Sequence, residues 1–133
     1  MSTDDDENLD DLDCEPLVRT AKSQVAITRR LVADYQGFEE NKRARFESVM
    51  TRWCDGIPLT PEMFNTNEGR SKNNIRLQAF KGFKIRLYGF DRKVASIRTF
   101  IIVEIDPAKK QDKADPRILK RAKRRIDEIG KEV

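Results

Sequence analysis

Histidine is absent from this chain of 133 residues. That removes the usual near-neutral general base, the commonest metal ligand and every Ser-His or Cys-His catalytic pair. Cysteine is scarce as well. Cys14 and Cys54 are too few and too far apart in sequence for a zinc site. Cys14 also falls in an acidic N-terminal stretch that is unsuited to a structural disulfide, which favours a reducing, cytoplasmic setting. No apolar run approaches the length of a signal or transmembrane segment, so no membrane partner is expected. Apolar residues make up 38% of the chain, enough for the core of one domain with little to spare.

Charge is plentiful and unevenly placed. Residues 1–15 hold eight carboxylates and no Lys or Arg, although the formal net charge of the whole chain is +4. The remainder carries 27 cations against the other 15 of the 23 acids, so a body of +12 follows a tail of −8. The sequence therefore predicts a disordered acidic tail over 1–15 and a single basic domain over 16–133. A body this basic attracts phosphate backbones, with an affinity that falls as salt rises and counterions compete.

Periodicity predicts a short strand over 17–21 and a helix over 23–35, with Val25, Leu31, Val32 and Tyr35 on its apolar stripe. A second helix is expected over 40–54, where Phe46, Val49, Met50 and Trp53 recur at helical spacing before Asp55-Gly56 ends it. Residues 57–74, with Pro58, Pro61, Gly69 and several Asn, read as a loop. From Ile75 the period changes to two, which suggests a hairpin turning at Lys81-Gly82, a turn over 91–95 and a central strand over 97–105. Asp115-Pro116 starts a last helix that Gly130 stops, with Ile118, Ala122, Ile126 and Ile129 on one edge and Lys120, Arg121, Lys123, Arg124 and Arg125 on the rest. The fold class expected is α+β, with two N-terminal helices packed on a small twisted antiparallel sheet and a basic C-terminal helix.

Strand phase places Arg76, Lys84, Arg86 and Tyr88 on one sheet face, with Arg98 in phase on the next strand. Such a face also occurs as ordinary solvated sheet. Phosphodiester cleavage without His needs clustered cations to stabilise the transition state and crowding to depress a lysine pKa. Arg70 and Lys72, in the loop, are further candidates for phosphate contact.

The segments IRLQAFKGFKIRLYGF and RTFIIVEIDPAKKQDKADPRILKRAKRRI, with RARFESVMTRWCDGIPL upstream, resemble the RelE/ParE superfamily of toxins from type II toxin-antitoxin systems, in its HigB-like and phage-derived branch. The resemblance spans roughly residues 17–130. It implies a RelE-like fold and a metal-independent, cofactor-free endoribonuclease that cleaves mRNA on the ribosome, inhibits translation and is neutralised by a cognate antitoxin protein. Arg86 stands where the family places a catalytic strand arginine, and Lys109 or Lys110 matches a basic residue after the last strand. Lys84 and Tyr88 join the catalytic set from strand phase, and Arg76, Arg98, Lys113, Arg70 and Lys72 form the expected RNA-binding set. The final helix lacks the tyrosine that RelE itself uses. Two alternatives remain open, a non-catalytic RNA- or ribosome-binding module and a ParE-like inhibitor of DNA gyrase. The acidic tail is expected either to lie across the basic face or to act only as a solubilising extension.

Overall fold

The computed structural model describes residues 7–107 and 114–130. Six strands form one mixed sheet: β1 (Cys14–Arg19), β2 (Ser23–Thr28), β3 (Phe64–Asn65), β4 (Gln78–Gly82), β5 (Ile85–Val94) and β6 (Ile97–Asp106), in the order β1-β2-β6-β5-β4-β3. β2 runs parallel to β6, and the other neighbours are antiparallel. A 3₁₀ turn (Arg29–Leu31), α1 (Val32–Gln36) and α2 (Glu40–Cys54) follow β2, and α3 (Pro116–Gly130) follows β6.

This overturns the expected fold class, two helices on a small antiparallel sheet. The sheet is larger and mixed, and its helices cover both faces. One face packs Val25, Ile27, Phe80, Leu87, Phe100 and Ile102 against Tyr35, Phe46, Met50 and Trp53 of α1 and α2. The other packs Ala26, Ala79, Phe90, Ile101 and Val103 against Ile118, Ala122 and Ile126 of α3. Phe46 and Trp53 are core residues, as their spacing indicates.

The helix expected over 23–35 is mostly strand. Val25, Ala26 and Ile27 are buried because β2 lies between β1 and β6 with a helix layer on each side, and such strands lose the alternation that identifies them. The helical spacing of Leu31, Val32 and Tyr35 belongs to the short turn that follows. The central strand near 97–105 is observed, with every residue from Phe100 to Asp106 buried.

Both hairpins turn two residues later than, or beyond, the expected positions. Phe83 and Lys84 (φ 53° and 63°) join Gly82 to its partner Ile85, and Ala95 and Ser96 (φ 51° and 65°) join Val94 to Ile97. Paired left-handed residues match the twist of a tight hairpin, a geometry that Asn and Gly adopt with least cost. Neither turn contains them, so composition gave no marker.

Part of the expected tail is structured. Asn8 and Asp11 exchange backbone-to-side-chain hydrogen bonds, Leu9 and Leu12 pack on the α3-side core, and Cys14, buried, opens β1. Asp10 and Asp13 contact Arg29, and Glu7 contacts Arg92. Glu7, Asp10 and Asp13 therefore pair with cations outside the expected site.

Candidate nucleic-acid interface

The β5–β6 ladder determines which side chains meet. Tyr88 pairs with Glu104 but Gly89 pairs with Ile102, so β6 carries one additional residue, Val103, at a bulge. Before the bulge Phe100 and Ile102 face α2, and after it Ile105 does, which turns Glu104 and Asp106 toward α3. Gly89 is required there. A Cβ would stand 2.1 Å from the carbonyl oxygen of Ile101.

The bulge aligns Arg86 with Asp106 and Tyr88 with Glu104 beneath α3. Arg121 Nε donates to Glu104 Oε2 at 2.8 Å, and Arg30 Nη2 lies 3.3 Å from the same oxygen. The backbone N–H of Asp115 donates to Asp106 Oδ2 at 3.3 Å, while the Asp115 carboxylate accepts from the N–H of Arg117 at 2.9 Å and caps α3. Arg86 Nε stands 3.8 Å from Glu68 Oε2. Tyr88 is fully buried, and its hydroxyl has no hydrogen-bond partner among the described residues. Burial first, then the charge of Glu68, raises its pKa, so the phenol stays protonated. What strand phase suggested as an open catalytic face is a polar seam that fastens α3 to the sheet.

The expected site residues are thus dispersed. Lys84 sits in the β4–β5 turn, exposed, and shares a pocket of about 280 Å³ with Arg86, Lys81, Glu62 and Phe83. Arg98 is not in phase with Arg86: it lies on the α2 side, its guanidinium 3.5 Å from the centre of the Trp53 ring and its Nη1 donating to the Trp53 carbonyl at 3.2 Å. Arg98 pairs with Lys93, an odd number of residues along β5 from Arg86, so the register of the β5–β6 turn places it on the opposite face. Arg70, Lys72 and Arg76 are exposed in the loop before β4, where Arg70 and Arg76 form an isolated antiparallel bridge. Lys109, Lys110 and Lys113 lie outside the described residues.

That loop adjoins α3. Lys123 Nζ lies 2.9 Å from the position a Cβ would take at Gly69, the Asn73 N–H donates to Asp127 at 3.3 Å, and Gly130 lies against Ile75. Arg70, Lys72 and Arg76 therefore continue into Lys123, half-buried on the flank of α3, and into Lys120 and Arg124, exposed on the positions opposite Ile118, Ala122 and Ile126. The phase of α3 signalled these three lysine and arginine positions. Their proximity to the loop is a tertiary fact without a local signal. Phe83 was missed because it reads as a strand residue and stands in a turn.

No family model matches the chain, and no curated protein or solved structure matches it significantly. Among the described residues no helix is long and apolar enough to cross a membrane, and no cluster of three or more Cys, Asp or Glu is placed to hold a metal ion.

Proposed function

We propose that this protein binds RNA through the cationic surface formed by the loop before β4 and the outer face of α3. The observation that carries the reading is the approach of Lys123 to Gly69, which joins Arg70, Lys72 and Arg76 to Lys120, Lys123 and Arg124 across two elements far apart in sequence. Cations joined in this way follow a phosphate backbone, whereas charges scattered over a surface do not. Inhibition of translation by a toxin held in check by an antitoxin, implied by the RelE/ParE resemblance, is the setting in which such a surface would meet mRNA on the ribosome. Binding of labelled RNA that weakens steeply between low and physiological salt, and weakens with it when these cations are replaced, is the test. Affinity independent of both would remove the reading.

Metal-independent cleavage of mRNA is the second reading, favoured by one observation: Lys84 and Arg86 share a pocket with the carboxylate of Glu62. Two cations beside a carboxylate can stabilise a phosphorane and accept a 2′-OH proton. Burial of Tyr88 beneath α3 takes it out of that catalytic set. Expression of the chain alone should then arrest growth and produce new mRNA ends, and Arg86→Ala should relieve both. Arrest that persists in the variant without new ends would leave binding as the sole activity.

A further inference from the structure

Phe83 is the exposed aromatic among the described large apolar side chains, with 44% of its surface open at the tip of the β4–β5 hairpin. Its backbone is left-handed at φ 53°, a conformation that bulky residues rarely adopt and that Asn or Gly would take with less strain. The turn geometry itself does not call for phenylalanine there. The ring meets Phe46 edge-on at 6.3 Å between centres, and Lys42 Nζ stands 5.6 Å from it. Beside it opens the pocket of about 280 Å³ to which Lys81, Lys84 and Arg86 contribute three cations and Glu62 one acid.

We infer that this hairpin tip is a nucleotide subsite for single-stranded RNA, in which Phe83 stacks on one base and Lys81, Lys84 and Arg86 hold the adjoining phosphate. The ring supplies a flat apolar surface that any base can cover, and the cations supply the charge that a sugar-phosphate chain requires. Three cations against one acid around the pocket favour a phosphate over an uncharged peptide. In duplex RNA the bases are stacked on one another and inaccessible to the ring, so the subsite selects unpaired nucleotides. Arg86 links the tip to the loop through Glu68. The inference therefore deepens the RNA-binding reading and rests on it.

Fluorescence anisotropy with a 5′-labelled hexaadenylate and with a short duplex RNA separates the two. Phe83→Gly is the preferred variant because it suits the left-handed turn and keeps the hairpin folded, and Phe83→Leu retains apolar bulk without a stacking surface. Both should bind the hexamer about 10- to 100-fold more weakly, with an unchanged salt slope and duplex affinity within about twofold of the unaltered protein. Equal hexamer affinity for Phe83→Gly and the unaltered protein would overturn the subsite and leave the RNA-binding reading standing. Failure of the unaltered protein to bind either RNA would remove both. Loss of hexamer binding in Phe83→Gly, when Lys120, Lys123 and Arg124 can all be replaced by Ala without effect, would support the subsite and overturn the broader surface.

Discussion

Arg121 Nε donates to Glu104 Oε2 at 2.8 Å, and this contact ties the most basic helix of the chain to the centre of its sheet. Glu104 has a side chain only 5% exposed, while Arg121 and Arg30, which share it, are both more than a third exposed. Removing the carboxylate leaves two cations without their buried acceptor, whereas removing one arginine leaves the other. Glu104→Ala should therefore destabilise by about 2–4 kcal/mol and Arg121→Ala by about 1 kcal/mol or less, read from urea unfolding.

Gly89→Ala should be the most damaging small substitution in the sheet. Its new Cβ would meet the Ile101 carbonyl oxygen at 2.1 Å and the Phe100 ring at 2.6 Å, and the first of these is backbone that cannot turn aside. A loss of roughly 3 kcal/mol or more, or failure to fold, is expected. Near-native stability would show that the bulge relaxes.

Arg98 packs against the core of the fold. Its guanidinium covers Trp53, the single tryptophan, and bonds to that residue's carbonyl and to Ser23. Arg98→Ala should lower stability by about 1–2 kcal/mol, with a change in Trp53 fluorescence. RNA affinity should stay within about twofold, less than expected for a direct phosphate contact.

Burial holds both thiols protonated, pushing Cys14 up to about 12 and Cys54 up to about 11 from 9.0. The folded state therefore keeps protons that the unfolded chain loses, so stability is complete below about pH 9 and declines as pH rises through the folded values. The raised hydroxyls of Tyr35 and Tyr88 act in the same direction. Urea midpoints should fall from pH 8 to pH 10.5, and the thiols should react with a disulfide reagent only at the rate of unfolding. Immediate reaction at pH 8 would contradict their burial.

Much of this architecture was legible locally. The stripe of Phe46, Val49, Met50 and Trp53 marked α2, the carboxylate and proline at Asp115-Pro116 marked the start of α3, and the apolar run near Ile101 marked a central strand. What local pattern could not carry was long-range pairing. β2 is a strand because β6 lies beside it in parallel, and nothing within Ser23–Thr28 announces that neighbour. Strand phase misplaced Arg98 for a related reason. The turn at Ala95-Ser96 pairs Arg98 with Lys93, an odd number of residues from Arg86, so the two arginines take opposite faces, and neither turn residue marks where the hairpin folds. Arg70, Lys72 and Arg76 were legible as cations. That they adjoin α3 depends on how the chain returns.

The most direct measurement is the salt dependence of RNA affinity for the unaltered protein and for a variant with Arg70, Lys72, Arg76, Lys120, Lys123 and Arg124 replaced by Ala. With about four to six phosphates contacted, the logarithm of the association constant should fall with the logarithm of salt concentration at a slope of roughly −3 to −4 for single strands, and the variant's slope should flatten to roughly −1, the share of a phosphate held at the hairpin tip. Identical slopes and affinities for the two proteins would contradict an RNA interface on this surface.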